Sequence, residues 1–411
     1  MKNHQNRKLA EFENTFSLLD QIDSREFAIA AEIEGMESVE VWEQALGKLQ
    51  QHHPLFLNAV IDRSSSPTNE YIESNTIPLR VFNVEEEHCW EHLVKAELST
   101  RFSTSETPLL RAVLIQKPTK TIIILTGSLI IADDAAMSYL FHDLLSSMTG
   151  KEWMGGKPYL HPQETVGLPQ DVASAGPDGG TPLANVFKNF GPKVSSVVMD
   201  AAKTSLLIKK ARIHGTTIHG AICAAVLLAA RTLRKEWWDR KIEVISPISS
   251  KKAVEPNDSY SPYIKGHPVY LDGEQQHDFW EVARQTITGI GGANTREQVR
   301  NYINFFRDQT FESTDIQRMI NILKNAFKQE IMVTSLGKLK YGTDFGPLKL
   351  NAIYGPIVRS DKGMEQTLSA KTCNDALCLT NTSDNPIEGL LETIIETLTK
   401  ACKSDHEIAK L

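Results

Sequence analysis

The sequence predicts an α/β protein built as two packed lobes. Three observations lead there. The chain has 411 residues, more than one hydrophobic core usually serves, since single cores stop growing at roughly 250–300 residues. Short β-branched runs alternate with amphipathic helical patterns in both halves, the texture of sheets covered by helices. Between the halves, residues 149–192 are crowded with glycine and proline and contain no periodic run, as a linker does. The expected divisions are a first lobe at 1–148, a linker at 149–192 and a second lobe at 193–411.

In the first half, Phe27 to Ile33 is an apolar run that reads as a strand. After Gly35, Ser38 is placed to cap a helix whose Trp42, Ala45, Leu46 and Leu49 share one face, and His52-His53-Pro54 ends it. The adjacent histidines are assigned a structural role. Ile77 to Val81 reads as a further strand, and Trp90, Leu93, Val94, Glu97 and Leu98 follow at helical spacing. Pro108-Leu109-Leu110-Arg111 leads into a strand at Ala112 to Ile115, closed by Lys117-Pro118.

The stretch Thr121 to Leu145 is the centre of this half. Thr121 to Leu125 is continuous and β-branched, the pattern of a strand buried on both faces. From Asp134 the period changes: Met137, Leu140, Phe141, Leu144 and Leu145 recur every three or four residues, with Asp133 and Asp134 where a helix N-terminus favours negative charge. The apolar loop Gly127 to Ala132 joins the two. Loops at strand ends are where α/β proteins place chemistry.

The second half opens with a helix through Leu206, Leu207 and Ile208. Thr216 or Thr217 then caps the apolar helix Ile218 to Leu233, whose alanines allow close packing. His219, at its start, is expected as a satisfied core histidine. Lys241 to Ile248 is a strand that runs on towards Lys251. Gly289-Ile290-Gly291-Gly292 is a turn rather than a dinucleotide loop, because it follows a helical pattern and Asn294 stands where the last glycine belongs. Ile331 to Gly337 reads as a strand and turn. Strands at Leu348 to Ile353 and Leu377 to Thr380, then a helix around Ile387 to Leu398, are expected to complete the second lobe.

This order of elements resembles the chloramphenicol-acetyltransferase-like superfamily, which includes peptide-synthetase condensation domains and alcohol and polyketide-associated acyltransferases. Its members carry His-His-x-x-x-Asp-Gly after the central strand. Laid on that pattern, Ser128 takes the first histidine, Leu129 the second, Asp133 the aspartate and Asp134 the glycine. His53-Pro54-Leu55-Phe56, Pro108 to Arg111, the Ser335-containing run at Ile331 to Gly337 and Asp344-Phe345-Gly346 are similar to further family runs. The resemblance implies a two-lobed chloramphenicol-acetyltransferase-like fold, each lobe a mixed sheet with packed helices, and a tunnel between the lobes.

In that family the second histidine is the general base that draws a proton from the acceptor as it attacks an acyl thioester. Leucine cannot exchange a proton, so that role is vacant here. The resemblance makes Asp133 structural, paired across the lobes with Lys251 where the family has arginine. Asp134 has two readings, a helix cap or a carboxylate that binds an amine or acts as base. Ser128 is a nucleophile only with a base in reach. The candidate catalytic residues are therefore Asp134 and Ser128, and those expected to contact substrate are Leu129, Ser335 and His142, the last placed roughly 12 Å along the helix from the loop by helix rise.

A net charge of −7 and the lack of a basic stripe argue against nucleic acid. No run approaches the ~20 apolar residues of a membrane span, and the polar start carries no leader pattern, so a cytoplasmic protein without a membrane partner is expected. Five cysteines without a CxxC pair imply no structural zinc, and no cofactor or metal is called for. The leading reading is an acyltransferase-like enzyme of specialised metabolism. Its substrate is a small molecule, linked to coenzyme A or an acyl-carrier protein or otherwise polyketide- or peptide-like. Two alternatives stand beside it: a tunnel enzyme for another reaction such as cyclisation, and a non-catalytic binding or recruiting module.

Overall fold

A computed structural model describes residues 7–8, 20, 26–53, 58–61, 68–71, 76–83, 90–102, 108–132, 134–154, 192–238, 240–249, 264–271, 278–291, 295–301, 304, 330–358 and 366–403. Asp133, Lys251 and most of the expected linker lie outside them. In chain order the first half holds β1 (Arg7–Lys8), β2 (Glu26–Glu34), α1 (Val39–His52), β3 (Asn58–Ile61), β4 (Thr68–Tyr71), β5 (Leu79–Asn83), α2 (Trp90–Leu98), β6 (Leu110–Gln116), β7 (Lys120–Ser128) and α3 (Asp134–Thr149). The second half holds β8 (Lys193–Met199), α4 (Ala201–Ile213), α5 (Ile218–Leu233), β9 (Ile242–Ser249), β10 (Ile264–Leu271), α6 (Phe279–Ile290), β11 (Ile331–Lys338), β12 (Lys349–Val358), β13 (Gln366–Cys373), β14 (Ala376–Ser383) and α7 (Leu390–Cys402).

Two mixed sheets carry the fold. The first has the order β12-β2-β7-β6-β5 and the second β10-β9-β11-β13-β14-β8, with a small sheet β1-β4-β3 beside them. In the first, β7 lies between β2 and β6 and runs antiparallel to both, while β5 and β6 run parallel. Its inner place explains its unbroken apolar run, because both faces are covered. Ile123 and Leu125 face Trp42, Leu46, Met137, Phe141 and Leu144 of α1 and α3. Ile122 and Ile124 join Trp90, Val94 and Leu98 of α2 on the other face. Each such fully buried side chain contributes on the order of 1.5–3 kcal/mol relative to exposure.

The second sheet is covered by α4, α5, α6 and α7, which bury Leu207, Ala224, Leu227, Trp280, Ile394 and Leu398 against Val244, Val333, Leu368 and Leu379. Small residues let α5 approach its neighbours. At Gly220 a Cβ would stand 2.6 Å from the Ala283 carbonyl of α6, so no larger residue fits without moving a backbone. Thr217 caps α5 by accepting the Gly220 N–H at 3.2 Å, whereas Thr216 donates to the Ala283 carbonyl at 2.9 Å. Ser38 sits at the N-cap position of α1 without a cap hydrogen bond, and its hydroxyl beside Glu40 holds that carboxyl below its ordinary value.

One strand lies elsewhere than expected. The strand anticipated at Leu348 to Ile353 forms, as β12, but it does not join the second sheet. It pairs antiparallel with β2 at the edge of the first, from Lys349 opposite Glu34 to Val358 opposite Phe27. The second half of the chain therefore reaches back into the first lobe. The turn that admits it is tight: at Gly35, with φ of 105°, a Cβ would lie 2.5 Å from the Pro347 carbonyl, so glycine meets both the conformation and the close approach. Further ties join the halves. Ser196 of β8 donates to Glu91 of α2 at 2.7 Å, Tyr341 donates to the Ser138 carbonyl at 2.6 Å, and the Trp90 and Tyr354 rings lie 4.9 Å apart. No single described helix is long and apolar enough to cross a membrane.

Candidate active site

Strand β7 delivers the site. Its last residue, Ser128, stands opposite Glu26, the first of β2, and the chain then turns at once. The Ser128 carbonyl accepts the N–H groups of Ile131 and Ala132 at 3.1 and 3.4 Å, and its Oγ accepts the Ile130 N–H at 3.2 Å. A serine hydroxyl that takes a backbone N–H two residues on is an ST-type turn, the local reason the strand ends here. Ser128, Ile130, Ile131 and Ala132 are buried, and Leu129 is half-buried against the first core. From Asp134 the chain continues as α3.

The expected site residues are distributed as follows. Ser128 and Leu129 lie together at the strand end. Asp134 begins α3. His142 lies further along α3 with its side chain 12 % exposed, its ring at 5.0 Å from Tyr341 and 5.5 Å from Phe345. Ser335 is half-buried in β11 beside a register shift, and its Oγ accepts the Gly337 N–H at 3.4 Å. No hydrogen bond or ring contact among the described residues joins His142 or Ser335 to Ser128 or Leu129.

Behind the site, α3 is braced by a buried carboxylate. Asp143 is fully buried, and His53 Nε2 lies 3.0 Å from Oδ2 while His142 Nδ1 lies 3.1 Å from Oδ1. The Met154 N–H donates to Oδ1 at 2.7 Å. Burial acts to raise this carboxyl, but the hydrogen bonds from His142, His53 and Met154 outweigh it and hold the group well below the usual carboxylate range. The histidine ending α1 thus has the structural role expected of it, tying α1 to α3. His219 is paired on one side only. Its Nε2 is 2.8 Å from Ser246 Oγ and 3.6 Å from Cys223 Sγ, while its buried Nδ1 has no partner among the described residues, and burial pushes its pKa down to about 4.

Sequence reasoning missed Glu26. The residue is 3 % exposed at the head of β2, just before the apolar run Phe27–Ala31. One oxygen accepts the Phe102 N–H at 2.7 Å, and the other, Oε2, is buried without a partner among the described residues. Burial raises its pKa to about 7; the negative charge of Asp20 adds to the rise, while the Phe102 N–H, its own backbone N–H and Arg111 oppose it. The available signal was an acidic residue where the strand's own pattern calls for an apolar one.

Two mixed sheets with helices, a strand exchanged between the halves, and a tight loop at the end of the central strand define the two-lobed chloramphenicol-acetyltransferase-like fold of condensation domains and acetyltransferases. Residues 188–260 match the family model described as phthiocerol/phthiodiolone dimycocerosyl transferase C-terminus. Among solved structures, polyketide synthase associated protein 5 from Mycobacterium tuberculosis is similar at 16% identity, covering 97% of this chain and 98% of that one, with a TM-score of 0.66. The first condensation domain of the CDA synthetase is similar at 13% identity, covering 98% and 97%, with a TM-score of 0.68. Trichothecene 15-O-acetyltransferase from Fusarium sporotrichioides is similar at 14% identity, covering 97% and 95%, with a TM-score of 0.62. No curated protein sequence matches the chain.

Proposed function

We propose that the protein is an acyltransferase-like enzyme of specialised metabolism. It moves an acyl group from a thioester, carried by coenzyme A or an acyl-carrier protein, to a small-molecule acceptor at the end of β7. The observation that carries this reading is the buried turn at Ser128 and Leu129, held at the end of the first sheet's inner strand in a fold matched along nearly the whole chain. Such a turn holds reacting groups on a rigid scaffold, and orientation alone supplies several kcal/mol of barrier lowering, up to roughly 7–11 in the best cases. Leu129 shapes the apolar wall where the family's histidine stands. In this reading Asp133 and Lys251 are structural, and Asp134 stays a candidate contact for a cationic acceptor.

The test is a panel of acetyl-CoA, acetyl-pantetheine and an acetylated acyl-carrier protein, each mixed with amines and alcohols. The expected result is thiol release that depends on the acceptor, with the acylated acceptor seen by mass. Thiol release at the same rate with and without every acceptor counts against acyl transfer.

A further inference from the structure

In the second lobe a cavity of about 270 Å³ opens between the start of α4 and the end of α7, lined by Met199, Lys203, Leu206, Thr399, Cys402 and Lys403. Much of its wall is apolar. Met199 and Cys402 are buried and belong to the second core, while Leu206 is 43 % exposed. Burial raises the Cys402 thiol above its ordinary value, with Lys210 opposing, so the sulfur is neutral at pH 7 and counts with the apolar wall. Leu206 differs from its neighbour Leu207, which is fully buried in the core. Three- and four-residue spacing puts it on the same side of α4 as Lys203, Lys210 and Ile213. A single exposed leucine is ordinary, but this one lines an apolar cavity.

The charge beside the cavity is positive in a chain whose net charge is −7. Helix α4 carries Lys203, Lys209, Lys210 and Arg212 and no acidic residue. Lys203 pairs with Asp200 at 2.7 Å and Lys400 reaches Glu396 at 3.8 Å. Lys403 and Lys210, both half-buried, have no ion pair among the described residues. Helix C-termini favour cations, which accounts for the positions of these two lysines but not for the apolar cavity beside them. The Thr399 hydroxyl donates to the Ile395 carbonyl at 2.7 Å, so the ammonium groups are the donors left for a ligand. We propose that this cavity binds a small amphipathic anion, an apolar chain of medium length whose carboxylate or phosphate head meets Lys403 and Lys210 while the chain lies against Met199, Leu206 and Cys402. The volume, at the small end of the roughly 300–1,000 Å³ of ligand clefts, limits the length of the chain. The inference goes beyond the proposed acyl transfer and does not depend on it, since none of these residues belongs to the turn after β7.

Titration of the full chain with octanoate, octyl phosphate and octanol, followed through labelled methionine and leucine methyls, tests this. Saturable shifts at Met199 and Leu206 are expected with both anions, and the tighter of the two identifies the head group. Octanol, which lacks the charge, is expected to bind at least ~10-fold more weakly, the worth of one charge-assisted hydrogen bond. Lys403→Gln is expected to weaken both anions by about the same factor and to leave octanol unchanged. Leu206→Glu, at an exposed position where the fold tolerates a charge, is expected to abolish anion binding. Absence of shifts at Met199 and Leu206, octanol binding as tightly as octanoate, or unchanged anion affinity in Lys403→Gln would each overturn the proposal. Shifts at these methyls that grow with protein concentration alone would show the groove to be an interface between copies of this chain, and would overturn it as well.

Discussion

Asp143→Ala is expected to lose about 3–5 kcal/mol of stability, the usual cost of removing one member of a buried charged or hydrogen-bonded set, read as a lower urea midpoint at an unchanged slope. The residue has no solvent exposure, and its two oxygens serve His53, His142 and the Met154 N–H. Alanine strands all three partners, whereas Asp143→Asn keeps an acceptor for Met154 and is expected to lose less. The sign of the pH dependence follows from the depressed carboxyl. Its contribution is present above the ordinary value of 3.8 and is lost as pH falls through the lower folded value. Glu26 has the opposite sense: with its value raised from 4.5 to about 7, its contribution is full below 4.5 and declines as pH rises through about 7. An unchanged midpoint in Asp143→Ala would show that α1 and α3 are held by their apolar contacts alone.

How far the sequence discloses this protein depends on whether an interaction is local. The unit of β7, turn and α3 was legible because a continuous apolar run and a switch to three- and four-residue spacing are both local patterns. The same holds for α5, where Thr217 and the alanines announce cap and close packing. The destination of β12 was not legible. Alternation marks a strand but carries no information on its partner, and that partner, β2, lies more than three hundred residues earlier in the chain. The His53–Asp143 pair spans 90 positions, so the histidine could be read as structural while its reason could not. Glu26 lay beyond reach for a related cause: its neighbours Ser128 and Phe102 meet it only through the sheet and a distant backbone N–H.

The second large effect is a gain of activity by Leu129→His. Leu129 is half-buried at the turn after β7, so an imidazole there supplies a proton acceptor and is expected to raise turnover by up to the ~10²–10⁴-fold that general-base catalysis provides. The structure also explains why the single change is preferable to a double histidine. Ser128 is 4 % exposed, its hydroxyl holds the turn through the Ile130 N–H, and a larger ring would overpack the sheet, typically at about 1–3 kcal/mol. A gain that grows as pH rises through ~6.5, where an imidazole becomes neutral, would identify the new residue as the base. No gain in a folded Leu129→His variant would place proton transfer outside this strand end.

The central claim is that acyl chemistry takes place at the turn after β7. Its most direct measurement is the binding of an acetyl-CoA analogue with a methylene in place of sulfur, followed through the methyl resonances of labelled leucine, isoleucine and methionine. The account predicts the largest shifts at Leu129, Ile130 and Met137, and their loss in Leu129→Trp, where the larger side chain fills the site. Binding that leaves these methyls unmoved, or that survives Leu129→Trp undiminished, would contradict it.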